Sequence, residues 1–194
     1  MIPPDDIFEL ELECSTLCNA KCPLCYRNYV GFRESPYRVP TERGLSETIR
    51  QLEMFKNLRF VMLVGSMSEP TLYTKFIELV EYLKKRRIRI EVCTNGDTRD
   101  EAFWRRLGQT LDDTDAVYFT ICGARQKIHE TYRRGTNVWR IARNARYLRS
   151  ERPVDYAQCI RFAYNSRHLD SNEFRGFISQ FSHVYMTETF YPKP

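Results

Sequence analysis

The segment "ECSTLCNAKCPLCY" at residues 13–26 gathers four of the chain's seven cysteines, Cys14, Cys18, Cys22 and Cys25. Clustered thiols serve three chemistries: a disulfide framework, a structural zinc site or an iron–sulfur cluster. Cys18, Cys22 and Cys25 are separated by three and then two residues, so a single loop can wrap them round a compact metal centre. A 4Fe-4S cluster takes one ligand per iron, and three thiolates leave the fourth iron open to a small molecule. Lys21 and Arg27 flank the loop, where their charge favours thiolate over thiol and offsets part of a cluster's negative charge. With Cys14 the segment supplies four sulfurs, enough for a structural zinc in a binding module that does no catalysis. Zinc sites of that kind usually join two short cysteine pairs through a longer segment, whereas these four crowd together. Cys14 also falls at the end of an expected strand, where a small packed residue suits a sheet. The residues alone leave both metals open.

What must position these thiols is a repeating alternation of strand and helix. Strand-like runs cover residues 7–13, 59–64, 88–93, 116–121, 154–162 and 183–187. Between them apolar residues recur at helical spacing: Leu45, Ile49, Leu52 and Phe55, then Phe76 or Ile77 with Val80 and Leu83, then Phe103, Leu107 and Leu111. Two further stripes are Val138, Ile141, Ala145 and Leu148 behind an Asn137 N-cap, and Phe174, Phe177, Ile178 and Phe181 behind Ser171. Such stripes are core. The pattern is an α/β fold with parallel strands, either an open doubly wound sheet or a partial barrel, which periodicity cannot separate. Both put function at the C-terminal ends of the strands. The unusual stretches all follow strand ends: the cysteine cluster, "GSMSEP" (65–70), "TNG" (94–96), "CGARQ" (122–126) and "YNS" (164–166).

A chain of 194 residues with 42% hydrophobic content suits one domain, residues 1–194, around one core. Its nine prolines and eight glycines are dispersed and mark no linker. The N-terminal "MIPPDDIFELELE" is acidic and does not read as a secretory signal, and no apolar stretch is long enough to span a bilayer. The expectation is a soluble cytoplasmic protein with no membrane partner, where structural disulfides are rare. The net charge of +5 is spread over "KKRRIR", "WRRL", "YRRG" and "RSER", at expected helix ends and loops. A solvated surface accounts for it without a nucleic-acid partner.

The order of these motifs carries a resemblance. "CNAKCPLCY" resembles the Cys-x3-Cys-x2-Cys motif of the radical S-adenosylmethionine superfamily, on the loop after the first strand. "LVGSMSEPTL" resembles that family's Gly-Gly-Glu-Pro motif, "VCTNG" its Thr-Asn-Gly stretch, and "YFTICGARQKIHETYRRG" the Ser-Ile-Asp-Gly, His and Arg-Gly series of its peptide- and protein-modifying branches. The resemblance implies a partial (βα)6 TIM-like barrel. It implies that Cys18, Cys22 and Cys25 ligate three irons of a 4Fe-4S cluster and that the fourth chelates S-adenosyl-L-methionine. An electron from a flavodoxin- or ferredoxin-like reductant protein would cleave that cofactor, and the 5'-deoxyadenosyl radical would abstract a hydrogen atom from a substrate, here leaning toward a peptide or protein. A glycyl-radical-enzyme activase is an alternative within the same family.

By the same resemblance Gly65, Ser66, Met67, Ser68 and Glu69 form a backbone clamp on the cofactor. Thr94 and Asn95 face it from the third strand, Leu24 packs on its adenine, and Arg161 meets its carboxylate unless it serves a structural ion pair. The same stretches without a cofactor would be ordinary strand-to-helix turns. Ser68 and Cys122 depart from the pattern, standing where glycine and aspartate are usual; Cys122 then reads as a packed thiol, with a hydrogen donor as the alternative. Cys93 and Cys159 read as small core residues, and His129 as a helix-start or surface residue. The chain ends soon after the sixth strand with "TETFYPKP", leaving no room for a cysteine-rich extension that holds auxiliary clusters. It reads as a minimal core or as a piece of a longer protein.

Overall fold

The computed structural model describes residues 3–25, 27 and 41–188. Tyr26 of the cysteine motif and the tail after Glu188 lie outside the described residues. Six strands, β1 (Glu9–Leu12), β2 (Phe60–Leu63), β3 (Arg89–Thr94), β4 (Ala116–Ile121), β5 (Asp155–Arg161) and β6 (His183–Glu188), form one parallel sheet in the order β1-β2-β3-β4-β5-β6. Helices α1 (Leu45–Leu52), α2 (Phe76–Lys85), α3 (Glu101–Thr110), α4 (Gln126–Tyr132), α5 (Val138–Arg149), α6 (Ser166–Leu169) and α7 (Asn172–Ile178) fill the crossovers.

The strand order decides between the two architectures. Crossovers between parallel strands are right-handed, so winding that never reverses lays every helix on the same side of the sheet. A doubly wound sheet needs a reversal. This sheet has none and is the open wall of a partial (βα)6 barrel.

Alternation along each strand assigns the two faces. Val61, Leu63, Ile90, Val92, Val117, Phe119, Ile121, Ala157 and Cys159 point to the helices and are buried there against Leu79, Leu83, Trp104, Leu107, Ile141 and Leu148. Each large apolar side chain so buried contributes about 1.5–3 kcal/mol. The opposite face carries Glu11, Met62, Glu91, Cys93, Tyr118, Thr120, Tyr156 and Gln158, too polar to be a second core. That face is the barrel's interior. The caps follow the sequence: Asn137 Oδ1 accepts from Arg140 N at 2.9 Å, and Ser171 Oγ from Phe174 N at 3.2 Å. Gly108 lets α3 lie against the end of α5, since a Cβ there would sit 2.7 Å from the Leu148 carbonyl oxygen.

Candidate active site

The cysteine loop leaves β1 and is tied at once to its neighbours. Leu17 O accepts from Glu69 N at 2.6 Å, and Lys21 N donates to Arg134 O at 2.8 Å. A turn closed by Cys25 N on Cys22 O at 3.2 Å brings the last two cysteines round. Cys18, Cys22 and Cys25 thereby line one cavity of about 250 Å³ with the loop after β2 and the end of β3. Cys22 is buried and the other two are half-buried. Burial pushes the Cys18 thiol up, opposed by the Ala20 amide and the Arg27 charge. Cys14 lines a different cavity, with Thr41, Glu42 and Arg43, and burial pushes its thiol up to about 11.

Among the described residues no three cysteine, histidine or acidic side chains converge closely enough to hold a single ion. Zinc needs sulfurs about 2.3 Å from one shared centre. A 4Fe-4S cluster puts each thiolate on a different iron, so its ligands need only surround a common space. Three thiols around one cavity fit the second requirement, and a guanidinium at the cavity wall suits an anionic guest: Arg133 Nη1 reaches Cys22 Sγ at 3.7 Å.

The loop over residues 65–69 forms the facing wall. Gly65 is required by its own loop, because a Cβ would sit 2.0 Å from the Ser68 carbonyl oxygen. Among the described residues the non-glycines of positive φ are Arg87 and Arg99, not Ser68, so the usual glycine is not needed there. Met67 N donates to Glu13 Oε1 at 2.8 Å, which holds the crest of the loop over β1. Glu69 is extended at φ −109 and ψ 109, as a residue before proline should be. Its carboxylate is buried and fully engaged: Oε1 accepts from Thr71 N at 3.2 Å, Thr71 Oγ1 at 2.7 Å and Thr94 Oγ1, and Oε2 accepts from Asn95 N at 2.7 Å. Burial raises this carboxyl's pKa, and the same Thr71, Thr94 and Asn95 bonds oppose the rise.

Thr94 and Asn95 line the cavity from β3, and Asn95 Nδ2 donates to Asn19 Oδ1 at 2.8 Å inside the cysteine loop. Gly96 follows at φ +70, packed so closely that a Cβ would meet the Phe119 ring at 2.4 Å. Leu24 is half-buried in the turn between Cys22 and Cys25 and is not among the cavity's lining residues. Arg161 is also placed elsewhere: its guanidinium forks onto Asp170 at 2.8 and 3.1 Å, the structural ion pair. Cys159 and Cys122 are buried, and burial pushes both thiols up, to about 12 and about 11. Cys93 differs from a core residue, being half-buried on the interior face and lining the cavity.

Sequence reasoning took Arg133 of the "YRRG" stretch for a helix-start or surface residue and passed over Thr120 and Gln158; Arg133, Thr120 and Gln158 all line this cavity. The signal for the last two was available, since β4 and β5 alternate and these residues share the interior face. His129 lies in the core rather than on a surface helix start: Cys122 N donates to its Nδ1 at 3.3 Å, and Nε2 pairs with Thr136 Oγ1 at 2.9 Å. Burial, then the nearby Arg133 charge, pulls its pKa down to about 3.

Comparison with known proteins fits this geometry. A tungsten-containing aldehyde ferredoxin oxidoreductase cofactor-modifying protein of Pyrococcus furiosus is 25% identical over 112 residues, 58% of this chain and 30% of the relative. Streptococcus suis SuiB bound to its precursor peptide SuiA superposes with a TM-score of 0.75 at 16% identity, covering 95% of this chain and 40% of SuiB. The enzyme anSMEcpe with bound AdoMet superposes with a TM-score of 0.71 at 20% identity, covering 95% of this chain and 52% of that one. The chain therefore spans about a third to a half of the length of these relatives. At such identities the two structures speak for the fold alone. The family profile, however, matches residues 12–162, from the last residue of β1 through the cysteine loop to the end of β5, and on that match the chain belongs to the Radical SAM superfamily.

Proposed function

We propose that this chain is the catalytic core of a radical enzyme that removes a hydrogen atom from a peptide or protein substrate. The family's cofactors are a 4Fe-4S cluster and S-adenosyl-L-methionine. When bound, they supply a carbon-centred radical able to break an unactivated C–H bond. The observation that carries the reading is the meeting of Cys18, Cys22 and Cys25 with residues 65–69, Thr94 and Asn95 around one cavity at the C-terminal end of the sheet.

The chain's own residues have definable tasks there. Cys18, Cys22 and Cys25 hold the metal centre. Residues 65–68 offer backbone groups to the polar end of the cofactor, and Glu69 fixes their path by bonding inward to Thr71, Thr94 and Asn95. The interior face, with Cys93, Thr120 and Gln158, borders the space where a substrate C–H must be brought close and kept from water. A peptide substrate is supported by the fold shared with SuiB, whose structure holds a precursor peptide, and by anSMEcpe, solved with peptides as well as AdoMet. The zinc alternative is disfavoured by Cys14, which opens to another cavity.

The test is anaerobic reconstitution with iron and sulfide, then electron paramagnetic resonance of the reduced protein with and without S-adenosyl-L-methionine. A cluster signal that changes on adding the cofactor is expected. Cys14→Ala should keep full iron content, and each of Cys18→Ala, Cys22→Ala and Cys25→Ala should abolish the cluster. Retained zinc with no cluster would overturn the reading.

A further inference from the structure

Arg133 is an unusual residue to find at the wall of this cavity. It follows α4, and its backbone is fixed on both sides: Arg133 N donates to His129 O at 3.0 Å, and Arg133 O accepts from Thr136 Oγ1 at 2.8 Å. The next residue is zipped to the cysteine loop through Lys21 N on Arg134 O, immediately before Cys22. The guanidinium therefore arrives beside Cys22 by construction, with Nη1 3.7 Å from Sγ. It lies over the Tyr132 ring at 5.4 Å, and its Nε is enclosed with no hydrogen-bond partner. No carboxylate among the described residues pairs with it; the groups that favour its charge are Cys22, Cys122 and Tyr132. Enclosing a cation costs several kcal/mol unless an anion compensates it.

We propose that Arg133 is a positioning residue for the electron affinity of the metal centre: it holds a fixed positive charge and an N–H···S hydrogen bond against the Cys22 thiolate, and so stabilises the reduced, more negative state of a cluster bound there. The inference rests on the functional reading above. The physics is direct, because net charge and hydrogen bonds to the ligating sulfurs set the potential of such clusters. Arginine suits the task better than lysine in geometry, since its planar fork can meet Sγ and lie on Tyr132 together.

The experiment is a redox titration, followed by electron paramagnetic resonance, of the reconstituted full chain without substrate or S-adenosyl-L-methionine, for the parent protein, Arg133→Met and Arg133→Lys. Iron content and far-ultraviolet circular dichroism are measured alongside. Arg133→Met should lower the reduced-to-oxidised ratio at fixed potential about tenfold, a midpoint shift of about 59 mV to more negative values. Arg133→Lys, which keeps the charge, should recover most of that loss. If the Met variant fails to hold iron, Arg133→Gln replaces it, keeping a donor for Sγ without the charge. Equal midpoints in all variants would overturn the proposal, and so would loss of iron in every variant including Lys, which would make Arg133 a packing residue. A parent protein that assembles no cluster would instead overturn the functional reading itself.

Discussion

The hydrogen bonds of His129 fix its tautomer. Because the Cys122 amide donates to Nδ1, the proton sits on Nε2, which donates to Thr136 Oγ1, and that hydroxyl in turn donates to Arg133 O. Protonating Nδ1 would set two N–H groups against each other inside the core. The folded state therefore refuses a proton that the unfolded chain, with a histidine pKa near 6.5, accepts. Since the folded value is lowered to about 3, the unfolded state binds more protons between these limits, and stability must fall as pH falls through about 6.5. By pH 5 the metal-free protein should have lost about 2 kcal/mol relative to pH 7.5 through this residue. Urea denaturation of parent and His129→Gln at both pH values would show it as a steeper acid loss in the parent; parallel losses would sink the assignment. The cysteine spacing was readable in sequence because metal ligation is local. His129 and Arg133 were not, because their roles arise where α4 folds back against the cysteine loop, and no periodicity reports that.

At the scale of elements, the loop after β2 is held mainly by one side chain. Both Glu69 oxygens act as acceptors, and each meets a backbone N–H, from Thr71 on one side and Asn95 on the other. Hydroxyl donors can rotate, but these amides cannot. Glu69→Gln must therefore turn its NH2 toward one of them whichever way the amide is placed, leaving a buried donor unpaired at about 1–3 kcal/mol. The denaturant midpoint should fall accordingly while far-ultraviolet circular dichroism is kept, and an unchanged midpoint would show that the network is replaceable by water. Glu69 is extended because Pro70 follows it, a local effect, whereas its side-chain partners come from the far side of its own turn, from the end of β3 and from the loop after β3, which no local pattern reports. Elements show the same division. Apolar stripes located five helices, whereas α4 (QKIHETY) carries too few apolar residues to form a stripe and α6 is a single turn. Strand β4 has the expected limits, while β1 is shorter at both ends than its apolar alternation.

At the scale of the molecule, strand order was the missing fact, because a repeat of strand and helix is common to barrels and doubly wound sheets. Sequential order brings the β1 loop beside those of β2, β3 and β4, and hydrogen bonds then join them in series. Leu17 accepts from the β2 loop, Asn19 bonds Asn95, and Lys21 bonds the loop after α4. Asp97 carries the connection on to Asn137, and Asn165 joins β5 to the Cys122 carbonyl. A metal centre held, as proposed, by Cys18, Cys22 and Cys25 binds a loop that already belongs to the folded sheet, and the unfolded chain presents no such preformed site. Binding to the native state alone must stabilise it. A site filled at a hundredfold excess over its dissociation constant adds about 2.7 kcal/mol. For a domain of this size that is about 5–11 °C in Tm. Anaerobic calorimetry should find the reconstituted protein melting higher by at least that margin, with chelation of the iron reversing the gain. The Lys21 and Glu69 amides should gain hydrogen-exchange protection at the same time, since they donate the bonds that tie the cysteine loop to Arg134 O and through Leu17 O to the loop after β2. Equal melting temperatures with and without the cluster would mean that the cysteine loop moves independently of the sheet, and the coupling between metal site and barrel would have to be abandoned.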